Sequence, residues 1–123
     1  MHRSRFAGLI IDCNTDDLEA AAAFWSAALG TPERSDREPR YVSLAMPPDE
    51  PYVQVQKVDH PSRVHLDIEA DDIAAEVARL EGIGARKVAD VRDWCVMEAP
   101  TGQRFCVVPA ERAGFEEKAN QWP

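Results

Sequence analysis

The stretch Val64-His65-Leu66-Asp67-Ile68-Glu69-Ala70-Asp71-Asp72-Ile73 repeats the pattern of Leu9-Ile10-Ile11-Asp12-Cys13-Asn14-Thr15-Asp16-Asp17-Leu18, 55 residues later and without a gap. Asp12 matches Asp67, and the pair Asp16-Asp17 matches Asp71-Asp72. Farther along, with small deletions, Gly30 matches Gly84 and Tyr41-Val42-Ser43-Leu44 matches Trp94-Cys95-Val96-Met97. Pro47 then matches Pro100, and Tyr52-Val53-Gln54-Val55 matches Arg104-Phe105-Cys106-Val107. An apolar run, an acidic pair, a helical pattern, a glycine and short strands occur twice in one order, which marks an internal duplication.

Each copy reads strand, helix, then strands. Phe6–Cys13 alternates as a strand does, and Asp16-Asp17 supply capping carboxylates, with Glu19 three past Asp16 as in a capping box. Leu18, Ala21, Ala22, Trp25 and Leu29 share one helical face, and Gly30 suits the left-handed stop. The neighbouring Phe24-Trp25 read as helix core. The second copy has its strand at Val64–Ile68, caps at Asp71-Asp72, the face Ile73, Val77 and Leu80, and the stop Gly84. Closing strands are expected at Tyr41–Met46, Tyr52–Lys57, Trp94–Glu98 and Arg104–Val108, with weaker ones at Arg34–Arg40 and Arg86–Val91. The charged stretch Thr31–Arg40 reads as a mobile loop, and Phe115 and Trp122 read as docking anchors in a polar tail.

The 123 residues suffice for one domain. Its expected parts are module one at 6–57, a linker at 58–62, module two at 63–109 and a tail at 110–123. With 45% hydrophobic and 29% charged residues the composition is that of an ordinary globular protein. A net charge of −8 repels phosphate backbones, so no nucleic-acid partner is expected. No apolar run reaches the length of a membrane span, and the basic start Met1-His2-Arg3-Ser4-Arg5 is followed by no signal-peptide core. No membrane partner is therefore expected, and a cytoplasmic location is. The three cysteines, Cys13, Cys95 and Cys106, form no CxxC or CxxH spacing and cannot all pair.

Strand parity sorts the side chains. Leu9, Ile11 and Cys13, with Val64, Leu66 and Ile68, form apolar faces expected to pack under the helices. The opposite faces carry Ile10, Asp12, His65, Asp67, Gln54, Arg104 and Cys106, joined by Tyr41, Trp94 and Glu98. A curled sheet with such a mixed aromatic and polar concave face makes a small-molecule pocket.

The residues Asp17-Leu18, Phe24-Trp25 and Leu29-Gly30, then Val64-His65-Leu66-Asp67, Asp71-Asp72-Ile73 and Pro100-Thr101-Gly102-Gln103-Arg104-Phe105, resemble the vicinal oxygen chelate superfamily. The nearest flavour is its glyoxalase/bleomycin-resistance/dioxygenase-like domain. The resemblance spans about residues 6–109. It implies an α+β fold of two tandem βαβββ modules. Their eight strands form a curled mixed sheet around a cavity, with helices on the outer face and a homodimer as the assembly. It also implies a metal held from four strand positions filled by His or Gln and by Glu. In this chain those positions are Ile10, Gln54, His65 and Cys106. An isoleucine offers no donor, and one imidazole with one amide oxygen falls short of what a hard divalent ion takes. The metal site therefore reads as degenerate; no cofactor is expected, and a divalent metal is the lesser reading.

His65 is the catalytic candidate, as general acid/base, against an inherited ligand position hydrogen-bonded to Gln54 or water. Asp12, Tyr41, Gln54, Asp67, Trp94 and Arg104 are the ligand-binding candidates. Asp12 and Asp67 would bind a cation, or one would have a raised pKa, against a structural role at strand ends. Tyr41 and Trp94 would stack on a flat or cationic ligand, against filling the cavity. Arg104 would hold a carboxylate, against pairing with Glu98 or Asp67. Cys106 would be a nucleophile, against a small apolar residue. The function expected is that of a pocket protein with a degenerate metal site that sequesters a small cationic or aromatic molecule, as in antibiotic resistance; the alternatives are a lyase, isomerase or dioxygenase using His65 for metal binding or proton transfer, and a ligand-free structural or regulatory dimer.

Overall fold

A computed structural model describes residues 1–36 and 38–123. Among the described residues, eight strands and three helices give an α+β fold: β1 (His2–Asn14), α1 (Leu18–Leu29), β2 (Tyr41–Ser43), β3 (Tyr52–Val58), β4 (Arg63–Ala70), α2 (Ile73–Gly82), β5 (Arg86–Val91), β6 (Trp94–Glu98), β7 (Arg104–Pro109), α3 (Phe115–Lys118) and β8 (Asn120–Trp122). Strands pair in the order β2-β3-β1-β4-β7-β6-β5, with β8 on β1. The chain divides into two compact units, Gly8–His65 and Met1–Ala7 with Leu66–Pro123.

In the unit Gly8–His65, β3 runs parallel to β1, pairing Ile10 with Gln54 and Asp12 with Gln56. β2 is antiparallel to β3, pairing Tyr41 with Gln56 and Ser43 with Gln54. The Asp17 carboxylate caps α1 by accepting from the Ala20 amide at 3.0 Å. The cap thus falls on the second aspartate of the pair. Position N3 is then Ala20, and Glu19 at N2 is a first-turn acid. Gly30 ends the helix at φ 67°, as expected. Leu18, Ala21, Ala22 and Trp25 pack on Val42, Val55 and Cys13. Phe24 does not join them. It lies about 100° around the helix from Trp25, is 61% exposed, and meets the Trp25 indole edge-on at 5.0 Å. Leu29, in the last turn, is also half-exposed.

Gly8 pairs with Tyr52, and the space where a Cβ would stand is filled by the Tyr52 carbonyl oxygen and ring. Backbone cannot yield there without breaking the β1–β3 register. Gly8→Ala should therefore cost about 1–3 kcal/mol, as overpacking does, read as a lower denaturant midpoint at unchanged slope.

In the other unit, β4 runs parallel to β7, and β7, β6 and β5 form an antiparallel meander. Asp72 caps α2 by accepting from the Ala75 amide at 3.0 Å, the counterpart of Asp17. Val77 and Leu80 pack with Ala70, Cys95, Met97 and Val107. Burial pushes the Cys95 thiol up, and it does the same to Cys13 in the first unit, which suits core residues rather than nucleophiles.

The apolar faces of the two long strands differ from expectation. α1 lies against β2 and β3, and α2 against β5, β6 and β7. Ile68 packs against the core, while Leu66 is 48% exposed and Val64 57% exposed. The total of eight strands stands, but its membership changes. No strand forms among the described residues of 34–40, where Arg37 lies outside the description; an isolated bridge joins Glu33 to Leu44 instead. The expected mobility of Thr31–Arg40 likewise falls partly on Arg37.

The eighth strand comes from the tail. β8 pairs antiparallel with the start of β1, His2 opposite Trp122. Both expected anchors dock. Phe115 is buried with the Arg5 guanidinium 5.6 Å from its ring, and Arg79 lies 3.8 Å over the Trp122 ring.

Two buried carboxylates hold this arrangement. Glu76 of α2 accepts from Ser4 Oγ at 2.7 Å and from Arg79 Nε and Nη2 at 2.8 Å each, and it meets His2 Nε2 at 2.8 Å. Glu69 accepts from Arg5 Nε at 2.6 Å and Arg112 Nε at 3.1 Å.

Candidate functional site

Period-two alternation places Asp12 of β1 on the face away from α1, beside Ile10 and opposite Cys13. Asp12 is 1% exposed. Its Oδ2 lies 2.6 Å from His65 Nδ1 and 3.6 Å from Arg63 Nε. An ionised carboxylate only accepts, so the shared proton belongs to Nδ1 and the ring is held in one tautomer and one orientation. The opposite nitrogen, Nε2, is then the basic one. The His65 side chain is mostly but not wholly enclosed, at 12% exposure.

Other expected residues of this unit lie on the neighbouring strands. Gln54 Nε2 donates to Ser43 Oγ at 3.3 Å, and Tyr41 stands two residue pairs along β2 and β3, half-buried. His65 thus bonds to Asp12 rather than to the expected Gln54 or water. Arg63 and Ser43 were not singled out from the sequence. Arg63 sits at the edge of the linker, where no motif marks it, and only its two-residue spacing from His65 signals a shared face.

In the other unit, Asp67 is 6% exposed and its register partner across β4 and β7 is Cys106. Cys106 in turn faces Val96, and Arg104 faces Glu98. Arg104 Nε donates to Glu98 Oε1 at 3.1 Å, and Arg86 Nε donates to Oε2 at 2.9 Å. These two guanidinium contacts, Arg86 first, hold the Glu98 carboxyl below its usual range. Arg104 is therefore committed to an acid of its own hairpin, the structural alternative weighed above. Trp94 opens β6, half-buried, on the same face as Glu98.

The four family metal positions carry an isoleucine side chain (Ile10), an amide bonded to serine (Gln54), an imidazole held by Asp12 (His65) and a thiol (Cys106). Asp67 and Cys106 bring a carboxylate and a thiol together as register partners of β4 and β7. Ile10, Gln54, His65 and Cys106 differ from the His, Gln and Glu set of the family and do not fit its metal.

Residues 8–108 match the glyoxalase-like domain family. The chain belongs to that family. Among solved structures, this glyoxalase-like chain is similar to methylmalonyl-CoA epimerase from Mycobacterium tuberculosis, at 18% identity and TM-score 0.65, over 86% of this chain and 88% of that one. A hypothetical protein from Bacillus halodurans aligns at 10% identity and TM-score 0.63, over 96% and 99% of the two chains. A glyoxalase/bleomycin resistance protein/dioxygenase superfamily member from Vibrio splendidus aligns at 17% identity and TM-score 0.50, over 84% and 98%. At these identities the likeness is one of fold. No curated protein matches significantly. Among the described residues, no helix of this glyoxalase-like chain is long and apolar enough to cross a membrane.

Proposed function

We propose that this glyoxalase-like protein is a proton-transfer enzyme of the lyase or isomerase type, with His65 as its acid/base. The observation that carries the reading is the 2.6 Å contact of His65 Nδ1 with the buried Asp12 Oδ2. A carboxylate that fixes an imidazole and balances the charge of the imidazolium is the arrangement general acid/base catalysis uses. In the step, Nε2 takes a proton from a carbon next to a carbonyl. The C–H pair moves into an enolate on that carbonyl oxygen, and the proton returns to carbon from the imidazolium. No redox partner is needed. The cation-binding role considered for Asp12 loses support, because His65 and Arg63 already face its Oδ2.

Deuterium exchange tests the reading. In D2O the protein should exchange α C–H positions in some member of a panel of small ketones, oxo acids and thioesters. His65→Gln should slow that exchange by about 10²-fold or more. A protein that exchanges none of the panel, or a His65→Gln variant that exchanges as fast as the parent, would overturn the proposal. A second reading, sequestration without turnover, draws on the half-buried Tyr41 near Gln54 and Ser43. Saturable binding with no exchange would favour it.

A further inference from the structure

We infer that the site takes a small carboxylate and that Arg63 is the residue that binds it; the inference rests on His65 marking the site. Arg63 and His65 are two residues apart on β4 and so share a face, and both lie against the same oxygen, Asp12 Oδ2. The Arg63 contact, at 3.6 Å, is too long for a hydrogen bond and acts as a charge contact. Its other contact among the described residues is Nη2 to His60 Nε2 at 3.5 Å, the outer edge of hydrogen bonding. The side chain is 46% exposed. A guanidinium carries five N–H donors in a planar fork that matches a carboxylate. Most of that fork remains open toward solvent, next to the imidazole.

The other arginines on comparable faces are spent. Arg104 donates to Glu98. Arg5 donates to Glu69 and to the carbonyls of Ala113 and Gly114, and Arg112 donates to Glu69 and to the Phe6 carbonyl. Charge makes the point sharper. A chain of net charge −8 repels anions at long range, so an anionic ligand needs a local cation to hold it. Asp12 lies against Arg63 Nε, and the rest of the always-charged guanidinium fork supplies the local cation for a bound carboxylate before His65 takes its proton. The substrate class is thus a small oxo acid, with its carboxylate on Arg63 and the C–H beside its carbonyl at His65.

Pyruvate and its neutral isostere pyruvamide are the probes. Ligand-detected NMR should show pyruvate binding about 10-fold or more tighter than pyruvamide, the range expected for a charge-assisted contact. Arg63→Gln should erase the difference, and Arg63→Lys should retain part of it, keeping charge without the fork. The Nδ1–H resonance of His65 should persist in both variants, showing that the fold and the Asp12 contact survive. Equal binding of the two probes, no saturable binding of pyruvate, or an Arg63→Gln variant with unchanged preference would overturn the inference. The two proposals fail differently. Pyruvate held through Arg63 with no His65-dependent exchange at its methyl group sinks proton transfer and leaves the carboxylate site standing. His65-dependent exchange that is as fast on pyruvamide as on pyruvate, and indifferent to Arg63→Gln, sinks the carboxylate site and leaves proton transfer standing.

Discussion

Asp12→Asn should lower the rate of deuterium exchange by about 10²–10⁴-fold with little change in melting temperature. The substitution changes almost no volume, so packing around this 1% exposed side chain is preserved. What changes is the hydrogen-bond grammar. Asp12 Oδ2 can only accept, which fixes the proton on His65 Nδ1. An asparagine can turn its amide nitrogen toward Nδ1, which drives the proton to Nε2 and leaves no base where the substrate would lie. It also removes the negative charge that stabilises the imidazolium once the proton has moved. The side chain's second oxygen, Oδ1, is buried without a hydrogen-bond partner, so the anion is already held at some cost and the swap is mild for folding.

A structural role for Asp12 would give the opposite balance: stability lost in step with activity. Imidazole nitrogen shifts separate the two, since they report which ring nitrogen carries the proton. A variant with full exchange rate would remove Asp12 from the mechanism, and one whose imidazole keeps the parent tautomer while activity falls would leave it the charge role alone.

The dyad shows what a sequence does and does not expose. Period-two alternation puts Asp12 and His65 on the polar faces of their strands, and the structure agrees. Alternation does not give the register between neighbouring strands, and register decides who touches whom. His65 therefore looked like a neighbour of Gln54 and turned out to bond Asp12. The helix caps were legible to within a residue, because Asp17 and Asp72 satisfy amides three positions on in their own segments, a purely local device.

Coverage of the apolar faces was less legible. Whether Leu66 or Phe24 is buried depends on where a helix comes to rest over the strands, which is a tertiary fact. Both are apolar and correctly spaced, yet 48% and 61% exposed. The strand β8 left no pattern at all in three residues. It forms because Trp122 Nε1 finds Ser4 Oγ at 2.9 Å and Arg79 covers its ring, contacts between chain ends that no local window contains. The two carboxylates that organise this region, Glu69 and Glu76, were hidden for the same reason: apart from the local Glu76–Arg79 pair on α2, their partners come from residues 2–5 and from Arg112.

Glu76→Ala follows from that hub, and it should destabilise the fold by about 3–5 kcal/mol, the usual cost of removing one partner of a buried charge pair. The carboxylate is fully buried and accepts from Arg79 and Ser4 while meeting His2. Alanine would strand the Arg79 guanidinium and the Ser4 hydroxyl. The start of β1 and the β8 strand paired to it would lose their tie to α2 together, since Ser4 also receives the Trp122 N–H. Glu76→Gln, which keeps the shape but not the charge, should cost less than alanine.

A pH titration gives an independent reading of the same hub. Burial pushes the Glu76 carboxyl up, but the hydrogen bonds from Arg79, His2 and Ser4, with the Arg79 charge, outweigh it and hold the pKa below the ordinary value. A group with a depressed folded pKa contributes stability above its unfolded pKa and loses it as pH falls through the folded one. The parent should therefore lose stability as acid is added below the ordinary glutamate range. The Glu76→Gln variant, having no carboxyl to titrate there, should show a shallower acid limb. Parallel acid limbs in parent and variant, or an alanine variant as stable as the parent, would show that the buried carboxylate does not hold the two chain ends to α2.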